Sequence, residues 1–179
     1  FMAHYPSCGV GGHCIPVDPY YLIERAKQSG FDHKFLKIAR EINNGMPAYT
    51  VELLQDALNT VKLPLNGTKV GVLGLSYKAN IDDVRESPAF KVIKHLEKHG
   101  AKVETFDPHV KKRSSAKSLE TLLKKSIALV LVTDHTEFKE TLTPALLKKH
   151  GIKVIIDGKN CLDKAAFTKA GIIYKGIGR

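Results

Sequence analysis

The chain has 179 residues, 43% of them apolar, and a formal net charge of +10 at pH 7. It is long enough to bury the core of one or two domains. No apolar stretch approaches ~20 residues, so we expect no transmembrane span, and no basic segment followed by an apolar run marks a signal peptide. The odd number of cysteines, three, is typical of reduced thiols in a cytosol rather than of a disulfide framework.

The first predicted element is a loop around Cys14, within the run GGHCIPVDP. The two glycines before it allow a ligand to approach the backbone closely. Asp18 and Pro19 are typical of a helix start, with a carboxylate as N-cap and proline at the first helical position, and Gly30 ends this helix after Ser29. A helix dipole and nearby cations favour a thiolate. The pattern predicts a nucleophilic cysteine, and the alternative is a buried structural thiol.

A zinc site in this segment is the less favoured interpretation. The possible ligands are His4, Cys8, His13 and Cys14. Two adjacent ligands, His13 and Cys14, make poor tetrahedral geometry, and the sequence has no Cys-x-x-Cys partner. We therefore expect no metal.

A long helix is predicted next, from Lys34 to about Val61, with a break or kink at residues 45–47, Gly-Met-Pro. Its apolar residues recur at helical spacing, and the widest stripe consists of Phe35, Ile38, Ile42, Tyr49, Leu53 and Leu58. The first short helix is too small to cover this stripe. The pattern therefore predicts a homodimer built on the long helix.

The remainder alternates strands and helices. Predicted strands cover residues 69–73, 102–106, 127–133, 153–157 and 172–174, and predicted helices cover 88–99, 118–125, 143–150 and 163–170. This alternation indicates an α/β fold with a Rossmann-like, doubly wound parallel sheet. Ligands bind such sheets beyond the carboxyl ends of the strands, and the polar residues that follow predicted strand ends are Tyr77, Lys78, Asp107, Asp134 and Lys159.

The charge is unevenly distributed between the two parts of the chain. Residues 1–66 hold six Lys/Arg and six Asp/Glu, whereas residues 67–179 hold 22 and 12. We therefore predict two domains, 1–66 and 67–179. A basic domain can bind nucleic acid, but the lysines are dispersed and no aromatic nucleic-acid motif is present. A basic surface that attracts a diphosphate ligand is the favoured interpretation.

Three ordered segments resemble the UDP-glucose/GDP-mannose 6-dehydrogenase family. They are GVGGHCIPVDPYYL around Cys14, AREINNGMP at residues 39–47 and GLSYKANIDDVRESP at residues 74–88. The resemblance is closest to the branch that oxidises UDP-N-acetylmannosamine or UDP-N-acetylglucosamine. It implies a cytoplasmic, NAD-dependent enzyme that oxidises the C6 alcohol of a UDP-sugar to the uronate for surface polysaccharide synthesis, and a dimer joined by the long helix.

The same resemblance implies roles for individual residues. Cys14 is the nucleophile and Asp18 assists a water molecule. The substrate-lining residues are Tyr5, Cys8, Gly9, Val10, Gly11, Tyr77, Lys78 and Lys159, and those that face NAD are Arg85 and Cys14. For Asp18 the alternative is helix capping alone, for Lys78 a solvated loop charge, and for Arg85 a local ion pair. Lys159 replaces an arginine and Cys8 replaces a proline of the family pattern.

The resemblance also indicates which parts of the family pattern have no counterpart in this sequence. The family's NAD-binding Rossmann domain and its catalytic lysine precede the cysteine loop, so we interpret the chain as a C-terminal part that lacks dehydrogenase activity by itself. The alternatives are a non-catalytic module for UDP-sugar binding and dimerisation, and UDP-glucose as the substrate. We expect neither nucleic acid nor a membrane as a partner.

Overall fold

The computed structural model describes residues 5–178 of the chain. Two helices come first, α1 (Cys14–Gln28) and α2 (Lys34–Thr60). The rest forms a sheet of five parallel strands, which are β1 (Lys69–Leu73), β2 (Lys102–Phe106), β3 (Ala128–Leu131), β4 (Val154–Asp157) and β5 (Ile173–Gly176). The helices between them are α3 (Pro88–Lys98), α4 (Leu119–Lys125), α5 (Thr136–Thr141), α6 (Pro144–Lys149) and α7 (Lys164–Lys169), with a 3₁₀ turn at Lys111–Arg113.

The strand order is β2-β1-β3-β4-β5, and apolar side chains leave the sheet on both faces. Val72 packs in a cluster with α2 and α3, and its neighbour Leu73 packs in a second cluster with α4, α5, α6 and α7. A parallel sheet covered on both faces needs such continuous apolar strands. The predicted α/β, doubly wound parallel sheet is confirmed. The additional helix α5 was not predicted.

Helix α1 begins at Cys14, four residues before the predicted start at Asp18. The first four N–H groups of a helix have no partner within it, so Pro16 in the first turn removes no hydrogen bond. Because the helix begins at Cys14 and its N-cap is His13, Asp18 is an internal residue and not the N-cap. Pro19 is also accommodated inside the helix. The predicted capping role of Asp18 is wrong.

Helix α2 runs through residues 45–47 without interruption, so of the predicted break or kink the break is wrong. Pro47 is buried inside the helix and has no N–H to donate to the carbonyl of Asn43. That carbonyl faces Gly9, where an added Cβ would lie 3.6 Å from it. The part of the helix that contains Pro47 thus lies against the N-terminal loop.

The two halves of α2 have different surroundings. In the second half Leu54 and Leu58 are fully buried against the sheet and α3. In the first half Phe35, Ile38 and Ile42 are 78%, 53% and 63% exposed. Leu58 was predicted to lie in the exposed stripe, and this is wrong because the residue belongs to the core. Within residues 5–178, no helix combines the length and the apolar character that crossing a bilayer requires.

Candidate functional site

Strands β1 and β3 pair with each other at the point where the strand order reverses. Strand β2 lies on the far side of β1, and strands β4 and β5 lie on the far side of β3. In open parallel sheets a crevice forms at this point, beyond the carboxyl ends of the strands. The loop after β1 carries Tyr77 and Lys78, and the segment after β3 carries Asp134. These residues therefore lie at the edge where a ligand is expected.

A cleft of about 580 Å³ opens at this edge. The N-terminal loop forms one wall, and the residues after β1, β3 and β4 form the other. Its lining comprises Tyr5, Pro6, Ser7, Gly9, Val10, Gly11, Ile15, Tyr77, Lys78, Ala79, Asp134 and Lys159. Seven of the eight residues predicted to contact substrate thus lie together around one cavity.

The N-terminal loop is held against the loop after β1 without room for side chains. A Cβ added at Gly11 would lie 2.7 Å from the Cβ of Tyr77, and one added at Gly12 would lie 3.1 Å from the tyrosine ring. The N–H of Gly12 donates to the carbonyl oxygen of Arg85 at 2.9 Å. On the other side, the N–H of Val10 donates to Oδ1 of Asn43 on α2 at 3.0 Å. The glycines therefore let the loop fit between α2 and the sheet domain.

Cys8 is the predicted lining residue whose side chain is absent from the cleft. It is buried in the core, with its sulfur beneath Gly158, where a Cβ would collide with it. Burial raises the pKa of the Cys8 thiol to about 11. Burial, followed by the nearby Asp157 and Asp134, raises the pKa of Cys161 to about 12. Both thiols are therefore protonated near neutral pH.

Cys14 is exposed at the first residue of α1. Asp18 follows four residues later, so both side chains lie on one face of the helix. Together they line a shallow cavity of about 420 Å³ whose other walls are Ile15, Pro19, Leu22 and Leu36. Ile15 also lines the larger cleft, so the two cavities are neighbours. The predicted nucleophile and the predicted carboxylate thus lie side by side next to the larger cleft.

Two lysines from different loops contribute positive charge to the cleft. Lys78 is exposed in the loop after β1, and Lys159 is half-buried in the turn after β4. The turn is fixed by Asp157, which accepts hydrogen bonds from the N–H of Lys159 at 3.0 Å, the N–H of Leu162 at 2.8 Å and the hydroxyl of Tyr174 at 2.8 Å. Two cations around one cleft suit an anionic ligand.

Arg85 lies beside the cysteine loop and forms a two-point ion pair with Asp83. Its Nε lies 2.9 Å from Oδ2 of Asp83 and its Nη2 lies 2.7 Å from the same oxygen. The hydrogen bond and the charge of Arg85 lower the pKa of Asp83. The local ion pair considered from the sequence is therefore present, and the guanidinium remains exposed to solvent.

A buried polar network lies behind the loop after β1. Asp107, which follows β2, accepts hydrogen bonds at Oδ2 from the N–H groups of Leu75 and Ser76, at 2.6 and 2.9 Å, and from Nε2 of His135 at 3.0 Å. Burial opposes ionisation of Asp107, but these hydrogen bonds outweigh it and lower the pKa of the carboxyl well below its usual range. Sequence analysis identified Asp107 at the binding edge and missed His135. His135 directly follows Asp134, which was predicted to lie at the binding edge, and this position was the available signal.

The described residues contain no cluster of three or more His, Cys, Asp and Glu side chains suited to a metal ion. His4, one of the ligands considered for zinc, lies outside the described residues.

Comparison with known proteins matches both parts of the chain to one family. Residues 71–164 match the UDP binding domain of the UDP-glucose/GDP-mannose dehydrogenase family, and residues 1–45 match its central domain. The chain is 40% identical over 176 residues to the UDP-N-acetyl-D-mannosamine dehydrogenase of Pyrococcus horikoshii, covering 98% of this chain and 40% of that protein.

Two solved structures resemble the chain over its whole length. The UDP-D-ManNAc dehydrogenase of P. horikoshii superposes with a TM-score of 0.88 and covers 100% of this chain and 41% of its own. The NDP-N-acetyl-D-galactosaminuronic acid dehydrogenase of Methanosarcina mazei is 32% identical, with a TM-score of 0.90, over 99% of this chain and 40% of its own. The chain thus spans about two fifths of the length of these relatives. From both domain matches and this similarity, the chain belongs to the UDP-glucose/GDP-mannose dehydrogenase family.

Proposed function

We propose that the chain supplies the nucleotide-sugar site and the catalytic cysteine of an NAD-dependent UDP-sugar 6-dehydrogenase. The observation that carries this proposal is the cleft in which Tyr77, Lys78 and Lys159 face the glycine loop that leads to Cys14. The names of the relatives favour UDP-N-acetyl-D-mannosamine as the substrate.

In this proposal the diphosphate lies between the two lysines. Lys78 and Lys159 neutralise its charge, and an ammonium group on a flexible stem suits a phosphate as a point charge. Tyr5 and Tyr77 offer aromatic faces to the base or the sugar. Residues 9–11 line the same cleft from the N-terminal loop. The sugar then extends along Ile15 toward Cys14, because Ile15 lines both cavities.

Cys14 acts on the aldehyde that the first oxidation of the C6 alcohol produces. Its thiolate adds to the carbonyl carbon, forming a C–S bond, and the carbonyl oxygen takes a proton to give a thiohemiacetal. The second oxidation removes a hydride from that carbon and the proton from the hydroxyl, giving a thioester. Water then attacks the thioester, the C–S bond breaks, and the uronate leaves with the thiolate restored. Asp18, one turn along the same helix face, orients this water and accepts its proton.

NAD is the oxidant in this proposal and would accept one hydride in each of the two oxidations. The exposed guanidinium of Arg85 fits its pyrophosphate, because a planar fork of donors binds phosphate at two points. Arg85 lies next to the cysteine loop through the hydrogen bond from Gly12. Asp83 holds the guanidinium in place from the other side.

We also propose that the enzyme is a cytoplasmic homodimer. Large apolar side chains are exposed in the first half of α2 and before it, at Tyr21, Leu22, Phe31, Phe35, Ile38 and Ile42, and an exposed apolar patch is typical of an interface. The reduced state expected for the three cysteines supports a cytosolic location.

Binding of UDP to the 179-residue chain tests the proposal most directly. We expect isothermal titration calorimetry to show binding, and Lys78→Ala to weaken it ten- to hundredfold, because a charge-assisted contact contributes about 1.5–3 kcal/mol. Lys175→Ala is the matched control, since Lys175 is exposed on β5 and does not line the cleft. Equal affinities of the wild type and Lys78→Ala would remove Lys78 from the site, and a wild type without UDP binding would refute the proposed function.

A further inference from the structure

The loop of residues 76–80 carries Tyr77 and Lys78 and is fixed at its two ends by different groups. At Ser76, the N–H donates to Asp107 at 2.9 Å and the carbonyl oxygen accepts from the Thr133 hydroxyl at 2.6 Å. At Asn80, the N–H donates to Nδ1 of His135 at 2.9 Å. The conformation of Lys78, which lies between these ends, depends on both attachments.

His135 is fully buried, and its two ring nitrogens contact opposite ends of the loop. Nδ1 accepts the N–H of Asn80, so Nδ1 carries no proton. The ring proton is therefore on Nε2, which lies 3.0 Å from Oδ2 of Asp107 and 3.1 Å from Oγ of Ser76. One neutral imidazole thus accepts from one end of the loop and donates toward the other.

Asn80 has a left-handed backbone conformation, with φ of +62°. Its side chain exchanges two hydrogen bonds with Thr136: Nδ2 donates to Oγ1 at 2.9 Å, and Oδ1 accepts from the N–H of Thr136 at 3.0 Å. Residues 135 and 136 at the start of α5 therefore hold this end of the loop at three points. Asparagine adopts this conformation more readily than other non-glycine residues, and the three hydrogen bonds fix it although Asn80 is exposed.

We infer that His135 is a positioning residue for nucleotide-sugar binding, which holds residues 76–80 so that Lys78 points its charge into the cleft. The inference deepens the proposed function and rests on it. The attachments at the Ser76 end and at the Asn80 end of the loop use different partners. Asp107 holds Ser76 directly through its backbone, whereas the N–H of Asn80 has only the imidazole as its partner. Nδ1 is therefore one of the groups that fix the position of Lys78, together with Thr136 and the Ser76 hydroxyl, which donates to the carbonyl oxygen of Lys78 at 3.1 Å.

The position of Tyr77 is fixed by contacts other than those of His135. Its ring packs on Gly12, and its N–H donates to the carbonyl oxygen of Asp83 at 2.9 Å. The effect of His135 on binding therefore passes through Lys78. The charged and titratable groups that face the imidazole are Asp107 and His109, whose ring centroid lies 4.8 Å away, and neither replaces Nδ1 as acceptor for Asn80.

Two variants separate the functions of the two ring nitrogens. His135→Asn places an amide oxygen near the position of Nδ1 and keeps an acceptor for Asn80, whereas His135→Gln reaches the position of Nε2 and keeps only the donor toward Asp107. We expect His135→Gln to weaken UDP binding roughly tenfold and His135→Asn less than about threefold. Each variant loses one buried hydrogen bond, and the bond that His135→Asn loses goes to the Asp107 carboxylate, so we expect His135→Asn to lower the melting temperature at least as much as His135→Gln does.

A double-mutant cycle with Lys78→Ala tests whether the effect passes through Lys78. In the Lys78→Ala background, His135→Gln should weaken UDP binding less than about twofold. A full tenfold loss in that background, or equal losses for the Asn and Gln variants, would make His135 a purely structural residue and overturn the inference.

Asn80→Gly provides a test that does not disturb the buried network. Glycine tolerates the positive φ, and the substitution removes only the two hydrogen bonds to Thr136. We expect a roughly threefold or greater loss of UDP affinity with little change in melting temperature, and unchanged affinity would contradict the inference. If Lys78→Ala weakens UDP binding as expected but neither His135→Gln nor Asn80→Gly weakens it, the inference fails and the proposed function stands. If the wild type does not bind UDP, both fail.

Discussion

At the scale of single residues, the three cysteines differ in their surroundings. Cys14 is exposed at the start of α1, Cys8 is buried beneath Gly158, and Cys161 is partly buried near Asp157. Only a thiolate reacts as a nucleophile, so both access and pKa decide which thiol is modified. The structure therefore leaves Cys14 as the accessible thiol among three.

Alkylation with iodoacetamide should accordingly be selective for Cys14. At pH 8 a thiol with a pKa of about 11, as for Cys8, is roughly one part in a thousand thiolate, and the pKa of about 12 for Cys161 leaves still less. We expect mass spectrometry of the folded chain to show one adduct, on Cys14, and none in Cys14→Ser. Raising the pH increases the thiolate fraction of Cys8 and Cys161. Equal labelling of all three residues at pH 8 would show that the burial described for Cys8 and Cys161 does not hold in solution.

The cleft residues that follow strand ends or belong to the glycine loop were predicted from the sequence. Tyr77 and Lys78 follow β1, and their position at the binding edge follows from parallel topology. Cys8 was predicted to line the cleft but is buried in the core, because a sequence does not show which side of a loop faces the core. His135 was missed because its partners, Ser76 and Asn80, lie 59 and 55 residues away. Hydrogen bonds of that range depend on the finished fold.

At the scale of elements, the start of α1 was the least predictable boundary, whereas the predicted bounds of α2, Lys34 to about Val61, lie within one residue of the observed Lys34–Thr60. Pro19 was interpreted as part of a helix start and Pro47 as a break or kink, and both lie inside their helices. In α2, the Asn43 carbonyl that Pro47 leaves without a donor faces Gly9 in a tertiary contact. Strand positions were predicted more closely, because continuous apolar runs bounded by turn residues are typical of buried parallel strands.

The two halves of α2 give separable predictions for association and stability. We expect the wild-type chain to be a dimer, and Ile38→Glu combined with Ile42→Glu to yield a monomer, because burying two carboxylates at an interface is costly without partners. Light scattering should show the mass falling from about two chains to one, with little change in the melting temperature.

Glu41→Gln, an exposed position in the same half of the helix, is the control and should leave the mass unchanged. Leu58→Glu, by contrast, should unfold the chain, since Leu58 is fully buried in the core. A wild type that is monomeric at tens of micromolar would contradict the proposed dimer.

At the scale of the whole molecule, the net charge of +10 should assist binding of an anionic ligand. The excess lies in the half of the sequence that forms the sheet domain and carries the two cleft lysines. A field of this sign raises the association rate of a diphosphate and is screened by salt.

Salt dependence should therefore distinguish UDP from uridine. Between about 0.01 M and 1 M salt the Debye length falls from about 30 Å to about 3 Å. We expect the dissociation constant of UDP to rise on the order of tenfold over this range, mainly through a slower association rate in stopped-flow measurements. Uridine, which has no phosphate, is the matched ligand and should change less than about twofold. Parallel behaviour of both ligands would mean that charge does not guide binding.

The loop of residues 6–12 contacts segments that lie about 150 or more residues later in the sequence. Cys8 lies beneath Gly158, and a Cβ added at Gly178 would lie 3.7 Å from the Pro6 side chain. During translation residues 6–12 leave the ribosome before residues 158–178, so the surface that receives the loop is incomplete until residue 178 has emerged. Contacts of such long sequence separation form slowly. The loop that leads to Cys14 therefore closes over the cleft only after the rest of the domain has been made, and until then the wall it forms is missing.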